Sequence, residues 1–538
     1  MLPASLRKNK EFVSFCDSVQ MPFFAVIAVI LLSLAIAKLS SGKSLSVKGE
    51  ESRLAICIDS PIEKLDPTNY RDRNIQIMLK NMFDSLTTRD ATMKVVPQLA
   101  ESWKSLSDTT WEFKLRRGVK FHNGDDFTAK DVKFTLERVV KEGAIDGKTS
   151  PRKGLLGPLS GVKIIDDYVV QIETEKPWPI LPLMLTLQEI VPMKYMKAVG
   201  SRGFQEKPIG TGPFRFVRAE GRKLLILERF GDYYGGSPEI PPVQTAPLKH
   251  LIFKTALGKT ESVAMLKKGE SDIIAHVPPE AVRILQTTPG IKVLTCGATR
   301  SYFAEINSIK PPFNDRRIRL AMNYAVDMQA VVDHILTGHG KALPTIILPN
   351  AFAYNGSLRQ YPYNPTLAKK LLNDSGFPEG RSIMINCIER YRQFANIIAV
   401  FLAKVGVRSV VEVVDKNTER ASMKNPNWDI LVTSWGNSTL DPVGILVPKF
   451  KSGGRANYSN YSNGEVDKLL SQADASLDPR VRENCYKKVQ EIIHAEAPMI
   501  FGYAAEEFYG VRERVKNFIP SSSGMMNMHD VYIGNETE

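Results

Sequence analysis

The chain has 538 residues, 43% of them hydrophobic and 24% charged, which excludes a disordered or fibrous protein and leaves length for about two to four domains. Its formal charge of +13 is spread along the chain with no run of five like charges, which excludes a basic nucleic-acid arm. A basic face of this kind suits an anionic ligand, an anionic membrane surface, or solvent alone.

Phe23 to Ala37 (FFAVIAVILLSLAIA) is an uncharged apolar run, preceded by Arg7, Lys8 and Lys10 and closed by Ala35, Ile36 and Ala37 in small-x-small form. That is the three-part form of a secretory signal. The run is short of the roughly twenty apolar residues that a spanning helix needs. The expectation is a leader over 1–37 that is removed on export to the periplasm, with an uncleaved anchor as the alternative. Cys57, Cys296, Cys387 and Cys485 follow it. They permit two bridges in an oxidising compartment, or four buried thiols.

Arg53 to Ile58 reads as a strand and Ile75 to Phe83 as a helix. Trp111, Phe113 and Leu115 alternate, the signature of a half-buried strand. Thr128 and Asp131 have capping-box spacing, and Phe127 and Val132 hold the staple positions of the helix carrying Val132, Leu136, Val139 and Val140. Pro208 to Pro213 (PIGTGP) is a rigid turn before strands at Phe214–Val217 and Leu224–Leu227. Ile318 to Leu336 carries an apolar stripe. Asn364, Pro365 and Gly376 frame a short helix, Val466 to Ala473 marks another, and Asp478-Pro479 opens one with Val481, Cys485, Val489 and Ile492 on one side. Strand-like runs at Ile383–Ile388, Ser409–Val414 and Asp429–Thr433 alternate with these helices, so the second half reads as α/β.

Catalytic motifs are missing. There is no HExxH and no GxSxG. Gly258-Lys259-Thr260 resembles the end of a phosphate loop, but Phe253 stands where its first glycine belongs. Nothing in the sequence assembles a nucleophile, a base and an orienting group. Neither an enzyme activity nor a cofactor or metal is expected.

Several stretches, in order, are similar to the dipeptide/oligopeptide/nickel class of solute-binding proteins that serve ABC importers. They are Leu65-Asp66-Pro67 with Pro97 to Trp103 (PQLAESW); Asp108 to Gly124 (DTTWEFKLRRGVKFHNG) running into Phe127 to Val132; and Pro208 to Phe214 with Tyr233 and Tyr234. They continue with Pro312 to Arg317, Arg319, Ala321 and Tyr324 to Asp327; Tyr361 to Pro365; Asn460 to Asn463; and Ala497-Pro498. The resemblance implies a two-lobed α/β fold, type II-like among periplasmic binding proteins, with an extra subdomain on the first lobe and two crossover hinge strands. The first lobe would take about 38–300 plus 503–538, its subdomain about 75–205, and the second lobe about 301–502. The implied partners are a small-molecule or peptide ligand and an ABC permease in the inner membrane, with no nucleic acid and a monomeric chain.

Peptide-binding relatives resemble one another around a Trp of the second lobe, with an aspartate three residues on that pairs with the peptide amine. Here the Trp is Trp435 and the amine position is Ser438, which supplies no charge. Asp441, or Asp72 from the other lobe, is the replacement candidate, although Asp441 precedes a proline and also suits a loop-shaping role. Relatives that bind short peptides often carry an arginine for the carboxylate end in the loop that here reads Glu389-Arg390-Tyr391-Arg392. A guanidinium matches a carboxylate bidentately. On the first lobe Arg71, Asp72 and Arg73 occupy the stretch that lines the cleft in relatives. The candidate ligand residues are therefore Arg71, Asp72, Arg73, Arg390, Tyr391, Arg392, Trp435, Ser438 and Asp441, around a ligand expected to be anionic.

Overall fold

The computed structural model describes residues 52–240, 245–256, 258–415 and 428–534. The leader lies outside the described residues. Among those described, no helix is long and apolar enough to cross a membrane.

Local signals act as expected where their partners are near in sequence. Trp111, Phe113 and Leu115 are buried on one face of the strand Thr110–Leu115. That strand is central in a four-stranded antiparallel sheet ordered Ala100–Ser107, Thr110–Leu115, Val169–Thr174, Leu159–Asp166. The helix Ala129–Val140 begins at Thr128, whose N–H donates to the Asp131 carboxylate at 2.9 Å. Phe127 and Val132 are both fully buried, as a staple requires. Asp131 also accepts from Met193 N at 2.9 Å, so one carboxylate caps a helix and ties down the next. This subdomain has its own core, built on Trp111, Phe113, Phe121, Phe127 and Leu136.

The main sheet runs through both lobes. Its strand order is Arg408–Val413, Ser382–Cys387, Ile430–Gly436, Ile291–Ile306, Met499–Arg512, Ile273–Ile274, Arg53–Ile58, His250–Thr255, Leu224–Arg229 and Phe214–Glu220. Ile291–Ile306 and Met499–Arg512 are the crossover strands, 16 and 14 residues long and antiparallel to each other. Each starts in the core of one lobe and ends in the core of the other: Ile291 and Phe508 pack with Cys57 and Leu285, whereas Ile306 and Ile500 pack with Ile318 and Ile385. Between Thr295 and Ala304 their register shifts three times. A ladder broken in this way bends more easily than a regular one.

In the second lobe the stripe from Ile318 to Leu336 is two helices, Arg316–Ala325 and Met328–Leu336. Val326 is extended, and the Asp327 carboxylate accepts from Ala330 N at 3.0 Å to cap the second helix. Apolar periodicity alone does not reveal that break. Asn364 caps Pro365–Asp374 through Leu367 N at 2.9 Å, and Asp478 caps Pro479–Glu496 through Arg480 N at 2.8 Å. Among the described residues no disulfide forms; Cys57, Cys296, Cys387 and Cys485 are buried in four different hydrophobic clusters.

Among the described residues, three buried ion pairs hold the frame. Arg138 meets Asp66 at 2.8 Å, Arg482 meets Asp441 at 2.8 Å, and Lys449 meets Glu305. Removing one partner of such a pair strands a charge, at a cost of about 3–5 kcal/mol.

The Pro208–Pro213 turn is clamped from the subdomain. Its glycines touch the backbone of another segment: a Cβ on Gly212 would lie 2.5 Å from the Met82 carbonyl carbon. Gly210 N donates to His122 Nδ1 at 3.2 Å, so Nε2 carries the proton and donates to the Gly212 carbonyl at 3.0 Å. Burial pulls the His122 imidazole down to about 4 from 6.5. The unfolded chain therefore takes up a proton before the folded one, and stability is lost as pH falls from the ordinary imidazole range toward 4. We expect this residue alone to contribute a loss on the order of 3 kcal/mol across that window. Urea unfolding at pH 7.5 and pH 4.5 checks this, with His122→Gln removing most of that share; equal pH dependence in the variant contradicts it.

Candidate functional site

The lobes meet along a seam. Lys176 of the subdomain pairs with Asp474 of the second lobe at 3.2 Å. Met93 packs against Leu343, Leu348, Leu440 and Ala504, and Val443 packs against the subdomain core. The Arg89 guanidinium, from the short strand Thr87–Arg89, donates through Nη1 to the Ser438 carbonyl at 2.6 Å.

On the second-lobe side the seam is built on the end of the strand Ile430–Gly436. Buried positions give way there to half-buried Ser434 and Trp435 and exposed Gly436. Ser434 Oγ lies 2.6 Å from the Tyr391 hydroxyl and accepts from Arg300 Nη1 at 3.0 Å. Tyr302 meets Tyr391 edge to face at 6.2 Å and stacks on Tyr503 at 4.9 Å. Burial raises the Tyr302 phenol; the positive charges of Arg300 and Arg390 oppose that rise and the negative charge of Glu507 adds to it, so two cations and one carboxylate lie around this ring. Neither Arg300 nor Arg390 has a carboxylate within ion-pair distance among the described residues.

The other candidates divide. Tyr391 is buried and belongs to the second-lobe core as well as the seam. Trp435 is half-buried, its Nε1 donates to the Gly444 carbonyl at 3.0 Å, and its ring faces Lys449 and Arg455. Arg392 is exposed and pairs with Glu389 at 2.7 Å. Asp72 is the N-cap of the helix Arg73–Lys80, accepting from Asn74 N at 2.8 Å, and its other oxygen takes the Ser60 hydroxyl. Arg71 is exposed and donates to the Pro151 carbonyl at 3.0 Å. Arg73 is neutralised by Glu507 of a crossover strand at 3.1 Å, with Thr299 beside both. The first-lobe cationic cluster expected from Arg71 and Arg73 is thus weaker than their sequence suggests.

Asp441 takes the loop-shaping role. It is 4% exposed, both its oxygens accept from Arg482, and Oδ1 also accepts from Val443 N at 3.0 Å. Asn437 Nδ2 closes the same loop on the Asp441 carbonyl at 2.8 Å. Arg89, Arg300 and Tyr302 escaped the sequence reading. Their side chains acquire meaning only when segments hundreds of residues apart converge.

Two depressions of about 400 and about 250 Å³ lie elsewhere on the first lobe, one beside Lys223, Lys254 and Glu261, the other beside Asp126 and Lys194. Neither touches the seam. Among the described residues no group of three His, Cys, Asp or Glu side chains is placed to hold a metal.

Two α/β lobes on paired crossover strands, with polar and cationic side chains turned into the seam, define a two-lobed binding protein. The profile described as bacterial extracellular solute-binding proteins, family 5 Middle, matches residues 94–457, and the chain belongs to that family. It is a solute-binding protein of that family. Glutathione-binding protein GsiB of Pectobacterium atrosepticum is 26% identical over 466 residues, spanning 83% of this chain and 87% of the relative. Heme-binding protein A of Haemophilus influenzae is 26% identical over 504 residues, spanning 88% and 89%. Among solved structures, HbpA2 from Haemophilus parasuis superposes with a TM-score of 0.82 at 24% identity, over 90% of this chain and all of that one. DppA from Helicobacter pylori with the peptide STSA gives 0.75 at 24% identity, over 90% and 98%.

Because Asp441 and Arg482 neutralise each other while buried, Arg482→Met should destabilise the protein by about 3–5 kcal/mol. Thermal or urea unfolding measures this. An unchanged unfolding midpoint would contradict the structural role of the pair.

Proposed function

We propose that this chain is exported by its N-terminal leader, captures a peptide-like solute bearing a carboxylate between its lobes, and delivers it to an ABC permease in the inner membrane. The lobes we assign are 38–300 with 503–538, and 301–502, so both boundaries fall within the crossover strands. The protein acts as a monomer in the periplasm and binds its cargo without turnover.

The observation that carries the ligand class is the pair Arg300 and Arg390 near Tyr302, Tyr391 and Ser434, neither in an ion pair with a carboxylate among the described residues, the nearby Glu507 being paired with Arg73. Such guanidinium groups favour an anionic guest. Ser438 in place of an acid removes the counter-charge for a free amine. The ligands named for the two relatives fit the same chemistry: glutathione is a peptide with two carboxylates, and haem carries two propionates. Trp435 and Tyr391 supply apolar wall beside the charges.

Native mass spectrometry of freshly purified protein identifies retained cargo, and calorimetry with glutathione and its amidated derivatives tests the charge requirement. Arg300→Gln and Arg390→Gln should each weaken the free acid by about 10- to 100-fold, the size of a charge-assisted hydrogen bond. Undiminished affinity for a fully amidated ligand would contradict the reading.

A further inference from the structure

We propose that Arg89 is a third anion-recognising residue, supplied by the first lobe, and that the seam selects solutes carrying acid groups at two ends. The inference rests on the reading of the seam as the ligand site.

Arg89 is held but not neutralised. Its Nε donates to Thr186 Oγ1 at 3.2 Å and its Nη1 to the Ser438 carbonyl at 2.6 Å, both uncharged acceptors. The acids of its neighbourhood are committed elsewhere. Glu189 faces Lys80 at 3.5 Å and accepts from the Tyr70 hydroxyl. Asp84 accepts from Gln98 at 2.7 Å and from Thr211. Asp90, the next residue, folds back on its own turn, accepting from Thr92 N and Lys94 N. Burial alone pulls the guanidinium down to about 10, with no carboxylate raising it back. Arg89 is half-buried; a partly desolvated charge without a counter-charge is costly, and such groups cluster at sites that use them.

Position supplies the rest. Arg300 reaches Ser434 and Arg89 reaches Ser438, so two acid-free guanidinium groups bracket one short segment of the second lobe. Four residue steps span at most about 14 Å, and an extended tripeptide spans about 10 Å. Between them Gly436 offers bare backbone: a Cβ there would lie 3.0 Å from Arg300 Nη2. A solute with acids at both ends of a tripeptide length can meet both cations. Because Arg89 belongs to the first lobe and Ser438 to the second, an acid bound at Arg89 favours the closed arrangement over the open one.

The test is calorimetry on the full mature chain, stripped of cargo, with Glu-Ala-Ala, Gln-Ala-Ala and Gln-Ala-Ala-amide as probes, each N-acetylated because Ser438 offers no counter-charge for a free amine. We expect Glu-Ala-Ala to bind at least tenfold more tightly than Gln-Ala-Ala. Arg89→Gln should reduce that ratio to near one, and Arg89→Lys should restore part of it; melting curves confirm that both variants fold. A ratio near one in the wild type, or one unchanged by Arg89→Gln, overturns this inference and leaves the seam reading standing. Failure of all three peptides to bind overturns both.

Discussion

Everything in this molecule depends on two long strands that belong to both lobes at once. Ile291–Ile306 and Met499–Arg512 are hydrogen-bonded to each other and anchored at opposite ends in separate hydrophobic cores. Strands rooted in this way cannot slide, because a one-residue slip would turn every buried side chain to the wrong face. They can bend at the waist, where three register shifts fall between Thr295 and Ala304 and Gly297 takes a left-handed φ of 75°. Arg300 and Tyr302 on one strand and Glu507 on the other sit at that waist. Hinge and proposed site therefore share one piece of structure.

The distribution of charge follows from burial. Deep in the frame, charges are paired: Arg138 with Asp66, Lys449 with Glu305, Arg482 with Asp441. At the seam the rule lapses. Arg73 is matched by Glu507, but Arg89, Arg300 and Arg390 have no acid in reach among the described residues. A clamp lined with unneutralised guanidinium groups gains more from an anionic guest than from a neutral one, since only the anion offsets the desolvation of the cations. Ligand selection and lobe closure then draw on the same interaction energy.

What could be read from the sequence was whatever a few neighbouring residues decide. The alternation at Trp111, Phe113 and Leu115 and the caps at Thr128, Asn364 and Asp478 are local, and the structure contains them all. The break at Asp327 was hidden because apolar spacing continues across it and only the cap geometry interrupts the helix. The site was less legible. Asp441 suited either a ligand role or a loop-shaping one, and the partner that holds it, Arg482, stands 41 residues on. Arg89 carries no motif at all, and its contact with Ser438 spans a separation of 349 residues. Family resemblance pointed to Trp435 and the Arg390 loop, whereas Arg89 and Arg300 lie outside the segments that carry it.

The central claim is that both lobes grip one anionic guest and close on it. Small-angle X-ray scattering of the mature chain, stripped of cargo and then saturated with the solute it retains on purification, tests this directly. The account predicts a smaller radius of gyration on binding, reversed when the cargo is removed. Saturation that leaves the radius of gyration unchanged would contradict it.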